Sequence, residues 1–204
     1  MIRNVVFDMG QVLIRYEPDR YIRELEVSEA DGKLLMEQVF RSLEWTRMDW
    51  GELTDEQAAE SICARLPARL HAAARKLVLG WEQPILPVPG IGELIGELKA
   101  AGYGIYLLSN ASFRQREYWP AIPGSELFDG GVISCEEGFI KPERGIYEAL
   151  LDRYGLKAEE CFFVDDVPVN VQGARRCGMD GAVFRGDVEE LRLHMRRAGV
   201  NVRA

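Results

Sequence analysis

Four places in this chain carry residue types that could do chemistry, and three of them close an apolar run. Asp8 ends "NVVFD" (4–8), Ser109 and Asn110 end "GIYLLSN" (104–110), and Asp165 and Asp166 end "CFFVDD" (161–166). The fourth is Lys141, directly before Pro142 in "GFIKPERG". Carboxylates that meet from two strand ends repel unless a cation joins them. Hard oxygen ligands with few soft partners suit Mg²⁺. Each group also has an ordinary structural reading: an aspartate that caps a turn, a Ser-Asn pair that N-caps a helix, and a solvated lysine. A helix start at Ser109 and Asn110 would in addition present backbone donors to an anion. Pro142 biases Lys141 toward extended backbone, from which a fixed ammonium would offset carboxylate repulsion and take a phosphoryl oxygen.

These residues need a scaffold that brings strand ends together. Besides the three runs above, "GGVIS" (130–134) and "GAVF" (181–184) read as buried strands. Between them, 91–102, 144–155, 169–178 and 187–199 have helical spacing, and Gly102, Gly155, Gly178 and Gly199 mark their ends. Alternating strand and helix implies a mainly parallel sheet with helices on both faces, an α/β Rossmann-like three-layer core. Ligands in such sheets bind outside the carboxyl ends of the strands, which is where the polar residues fall.

Residues 15–86 break this rhythm. They hold helix-like stretches at 29–45, 54–66 and 67–81, with Thr54 and Gln57 spaced as a capping box, and return through the proline-rich "EQPILPVPG" (82–90). The expected organisation is therefore a core of 1–14 and 87–204, with a helical insert at 15–86 lying over the carboxyl end of the first strand as a lid.

Composition narrows the function. The 204 residues suit one main core, and 47% hydrophobic with 28% charged residues is the make-up of an ordinary folded chain. A net charge of −8 without a basic stripe argues against nucleic acid. An anionic substrate would then need local donors or a metal ion. Cys63, Cys135, Cys161 and Cys177 form no CxxC pair, which argues against structural zinc. No apolar run approaches a membrane span, and the start lacks a leader pattern, so the reading is a reduced, cytoplasmic protein.

Taken in order, "VVFDMGQVL", "YLLSNAS", "GFIKPERGIYEAL" and "FFVDDVPVNVQGARRCGM" resemble the haloacid dehalogenase superfamily over nearly the whole chain, with 15–86 matching its helical, C1-type cap. The resemblance implies a phosphatase in which Asp8 attacks phosphorus to give an aspartyl-phosphate that water hydrolyses. It implies Asp8, Asp166 and the backbone carbonyl of Gly10 as Mg²⁺ ligands, with Asn170 at a further acidic or amide position. It implies Ser109, the amide of Asn110, and Lys141 around the phosphoryl group. The implied partner is a small phosphorylated metabolite.

One departure stands out. Most phosphatases of this superfamily have a second aspartate two residues after the first, and here that residue is Gly10. A lost general acid and base is worth roughly 10²–10⁴ in rate. Three answers are open: another group such as Asp165 or Glu17 supplies the proton, the leaving group departs with little help, or the protein binds without turnover. A sugar 1-phosphate fits the second, and a narrower resemblance, to α-D-glucose-1-phosphate phosphatases, points the same way through Gly10 and the Trp-Pro after the Ser-Asn pair. A carbon–halogen hydrolase is the other enzyme reading, and the paired Asp165 and Asp166 weigh against it. Trp45, Trp50, Trp81 and Phe40 could stack on a sugar or form the insert's core. Arg114 and Arg116, with Tyr118 and Trp119, could meet substrate or serve surface and packing roles.

Overall fold

All five expected strands form, and they make one parallel sheet. In the computed structural model, which describes residues 1–203, they are β1 (Asn4–Phe7), β2 (Gly104–Ser109), β3 (Gly130–Ile133), β4 (Cys161–Asp165) and β5 (Asp180–Val183). Their order is β3-β2-β1-β4-β5, so the chain builds outward on one side of β1 and then returns to its other side. Phe7 is in register with Leu107 of β2 and Val164 of β4. Asp8 therefore leaves the sheet at its switch point, between the ends of β2 and β4, where an open α/β sheet has its ligand crevice.

Five helices follow β1: α1 (Pro18–Arg23), α2 (Glu29–Leu35), α3 (Leu43–Asp49), α4 (Asp55–Arg65) and α5 (His71–Gly80). Six more accompany the other strands: α6 (Ile91–Ala100), α7 (Gln115–Tyr118), α8 (Ser134–Glu137), α9 (Arg144–Tyr154), α10 (Pro168–Arg176) and α11 (Val188–Arg197). Side chains alternate across each strand. Val5 and Phe7 pack with Leu94 and Leu98 of α6 and Leu191 and Met195 of α11. Val6 packs on the opposite face with Ile146 and Leu150 of α9 and Ala174 of α10. Helices thus cover both faces.

The helices of 18–80 bury a separate core, with Leu35, Val39, Met48, Ile62, Leu70 and Leu77 at its centre. Thr54 and Gln57 form the expected capping box at the start of α4. The stretch 29–45 is not one helix. After α2 the backbone widens to a π turn over Met36–Phe40, and Ser42 then starts α3 by accepting a bond from the Trp45 N–H at 3.2 Å. The stretch 67–81 likewise opens with a 3₁₀ turn at Ala68–Leu70 before α5 begins.

The end of α3 is seated directly on the sheet domain's backbone. Gly51 has φ +75°, and a Cβ on it would stand 2.1 Å from the carbonyl oxygen of Cys135 in α8. Both the left-handed conformation and the contact demand glycine. Gly51→Ala is expected to cost at least about 1–3 kcal/mol, read as a lowered urea midpoint; an unchanged midpoint would show that the seating yields freely.

Candidate active site

Lys141 is the centre of the site. Its ammonium lies 2.7 Å from Asp8 Oδ1 and 2.7 Å from Asp165 Oδ2, and 5.5 Å from the centroid of the Phe163 ring. The side chain is 1% exposed. Burial alone would lower the Lys141 pKa, but the carboxylates of Asp8 and Asp165 outweigh it and hold the amine charged, with its pKa above the ordinary value.

The loop carrying Lys141 is fixed by Asn110. The Lys141 N–H donates to Asn110 Oδ1 at 2.7 Å, and Asn110 Nδ2 donates to the Lys141 carbonyl at 3.2 Å. The expected N-cap role for Ser109 and Asn110 is not seen, because the next helix, α7, begins only at Gln115. Asn110 instead joins the end of β2 to the lysine loop. Ser109 stays buried on the cavity wall, with one long bond from its hydroxyl to the Asn110 carbonyl at 3.4 Å.

The two aspartates after β4 differ in environment. Asp165 is fully buried and takes bonds from Lys141, from Asn170 Nδ2 at 3.1 Å and from the Val167 N–H at 2.8 Å. Those donors fix it as the partner that holds Lys141 and Asn170. Asp166 is half-buried, and burial, then the charge of Asp165, raises its pKa. Oxygens of Asp8, Asp165 and Asp166 can all lie within 4.8 Å of one another. Burial likewise raises the Asp8 pKa, with Asp165 adding to the shift and Lys141 opposing it. Three carboxylates around one ammonium leave excess negative charge, and an all-oxygen donor set of this kind fits a hard divalent cation.

Above these groups is a cavity of about 210 Å³ between the sheet domain and the helical layer. Asp8, Gly10, Ser109 and Lys141 lie on its wall, as do Tyr16, Trp45, Trp81 and Tyr118. Tyr16 packs edge-on against Trp81 at 5.0 Å between centroids, and Trp45 packs on Phe40 at 5.0 Å. The aromatic residues therefore serve both as packing for the helices and as lining, whereas Trp50 is not part of the lining. Arg114 pairs with Glu82 at 2.6 Å and Arg116 with Glu136 at 2.7 Å, which gives both arginines structural partners. Glu17 pairs with Arg20 and is absent from the cavity wall, so it is badly placed as a proton donor.

Two acidic residues on the wall, Asp49 and Asp55, escaped the sequence reading. Both come from the helical layer: Asp49 is the last residue of α3 and Asp55 the first of α4. Asp55 accepts a bond from Ser112 Oγ at 2.7 Å, which ties the helical layer to the loop after β2. The one sequence cue was the Asp-Trp-Gly turn at 49–51, where a helix ends at a glycine.

A doubly wound parallel sheet with carboxylates from two strand ends, a buried lysine between them and helices over them defines a Rossmann-like α/β enzyme that works with strand-end acids. The sequence profile of the haloacid dehalogenase-like hydrolases matches residues 2–178, and the chain belongs to that family. Among curated relatives, the sesquiterpene phosphatase astK of Aspergillus oryzae is 29% identical over 185 residues, covering 86% of each chain. The (S)-2-haloacid dehalogenase 4A of Burkholderia cepacia is 25% identical over 190 residues, covering 88% of this chain and 81% of that one. Among solved structures, the haloacid dehalogenase family enzyme bt-2542 of Bacteroides thetaiotaomicron, crystallised with magnesium and inorganic phosphate, superposes with a TM-score of 0.69 at 20% identity, over 94% of this chain and 99% of that one.

Proposed function

We propose that the protein is a Mg²⁺-dependent phosphatase of a small phosphorylated metabolite, with residues 15–86 acting as a cap over the site. The observation that carries this reading is the trio Asp8, Asp165 and Asp166 around the buried Lys141. A phosphate dianion brought to three carboxylates and one ammonium is repelled unless a divalent cation accompanies it. Bound magnesium would polarise the phosphoryl oxygens and balance their charge. Asp8, Asp166 and the Gly10 carbonyl are the groups we assign to hold it.

In this reading an Asp8 oxygen attacks phosphorus, the bond to the leaving oxygen breaks, and water then cleaves the aspartyl-phosphate. Ser109, with the main-chain amide of Asn110, takes phosphoryl oxygens, and Lys141 steadies the charge that develops on them. A haloacid would be a poorer occupant, since its own carboxylate would find one ammonium already shared by two aspartates. For the organic part of the substrate we favour a sugar 1-phosphate. Trp45 and Trp81 are on the cavity wall, where an aromatic side chain suits packing against a sugar's C–H groups, and the anomeric oxygen is a comparatively good leaving group.

Phosphate release from glucose 1-phosphate, glucose 6-phosphate and p-nitrophenyl phosphate, with Mg²⁺ or with EDTA, tests the proposal. Release that needs Mg²⁺ is expected, and none from any ester in a protein that binds Mg²⁺ would favour a binding role. Asp166→Asn should raise the Mg²⁺ concentration for half-maximal activity at least about tenfold; an unaltered metal response would place the ion elsewhere.

A further inference from the structure

Gly10 leaves the site without the carboxyl group that would protonate a leaving oxygen, and backbone geometry does not impose that glycine. Its φ lies outside the left-handed range, and an added Cβ would meet only Tyr16 Cβ at 3.9 Å, an ordinary contact. A proton donor must otherwise come from the cavity wall. Asp165 is committed to Lys141, Asn170 and the Val167 N–H. Asp55 is committed to Ser112. Glu82, which is not on that wall, is tied to Arg114.

Asp49 has no such commitment. Among the described residues its carboxyl group makes no side-chain hydrogen bond and no ion pair, although it lines the same cavity as Asp8 and Lys141. Its place is not accidental, because the Gly51 contact with the Cys135 carbonyl seats the end of α3 on the sheet domain two residues later. From the cavity shared with the nucleophile, its free oxygens and this seating, we infer that Asp49 is the general acid and base of the reaction, supplied by the helical cap in place of the absent residue-10 carboxylate. This rests on the phosphatase reading above.

The charges around Asp49 agree with that role. Burial, then the charge of Asp55, pushes its pKa up to about 7, with Lys141 lowering it and Asp8 raising it. The charge of Asp49 also reaches the phenols of Tyr16 and Tyr118, on the same cavity wall, and the thiol of Cys135; all three are themselves shifted upward, chiefly by burial, and remain neutral near pH 7. A carboxyl group held near neutrality is matched to giving and retaking a proton.

The step balances. As the Asp8 oxygen bonds to phosphorus, the P–O bond to the leaving group breaks, and its electron pair takes the Asp49 proton to give the free alcohol. The Asp49 carboxylate then accepts a proton from the water that attacks the aspartyl-phosphate. Phosphate departs, Asp8 regains its electron pair, and Asp49 is protonated again.

The test compares two esters. An ordinary alkyl phosphate needs a proton on its leaving oxygen, whereas p-nitrophenolate leaves without one. Asp49→Asn should lower kcat/KM for the alkyl ester by about 10²–10³-fold, and for p-nitrophenyl phosphate by less than about tenfold, with Mg²⁺ affinity by calorimetry unchanged. Wild-type kcat/KM for the alkyl ester should fall as pH rises through about 7, where Asp49 loses its proton, with no such limb for p-nitrophenyl phosphate. That second measurement needs no variant. Equal losses with both esters, together with the same alkaline limb for both, would overturn the assignment to Asp49 and leave the phosphatase intact. No wild-type release from either ester would overturn the phosphatase reading and this inference with it.

Discussion

Asp8→Asn is expected to fold as well as the parent protein and to release no phosphate. The amide has the shape of the carboxylate, and its oxygen can still accept from Lys141, now 2.7 Å away. Burial already disfavours the Asp8 charge, so removing it relieves a cost and does not break a needed pair. Asp165 remains to satisfy the lysine. An amide oxygen is a poor nucleophile toward phosphorus, and loss of the attacking group should lower kcat on the order of 10⁴-fold or more. Thermal melting and phosphate release on one preparation check both halves. Turnover within tenfold of wild type would remove Asp8 from the role.

Lys141→Ala should be the most damaging single change to the fold. The substitution leaves Asp8 and Asp165 facing each other where one is 7% and the other 0% exposed, without the ammonium between them. Breaking a buried pair in this way costs about 3–5 kcal/mol, to be read as a fall in the urea midpoint. Activity should fall about 10²–10³-fold or more with loss of the charge near the phosphoryl oxygens. Adding Asp165→Asn should restore part of the stability and none of the activity, separating the two roles of the ammonium. A Lys141→Ala protein as stable as wild type would show that water reaches the site and that the lysine is not a structural counter-ion.

Much of this was legible in the chain because each strand is short, β-branched and closed by a polar residue. The parallel sheet and the meeting of Asp8, Ser109 and Asp165 follow from that pattern, whereas Lys141 closes no strand and was marked only by the Pro142 after it; the glycines at 102, 155, 178 and 199 all adopt the left-handed conformation that ends helices. The helical layer was less readable. Its apolar spacing runs through 29–45 without showing that the backbone widens at Met36–Phe40 and restarts at Ser42. The difference between Asp165 and Asp166 was also hidden, since it depends on donors from Lys141 and Asn170, distant in sequence or on the next helix. Asp49 was least visible of all: nothing within its own helix marks it, and it reaches the cavity only through the packing of α3 on α8.

The loop after β2 also bears on the order of events in turnover. Ser112 and Arg114 follow Ser109 and Asn110 by a few residues, and they hold Asp55 and Glu82 of the region between the first two strands. The cover cannot swing away without breaking both contacts or dragging that loop along. Cradle and roof therefore form one gripping hand. In the proposed phosphatase, any opening that gave inorganic phosphate a path to solvent would therefore also disturb the loop that carries Ser109 and Asn110, so that release of product and loosening of its holders would be one event.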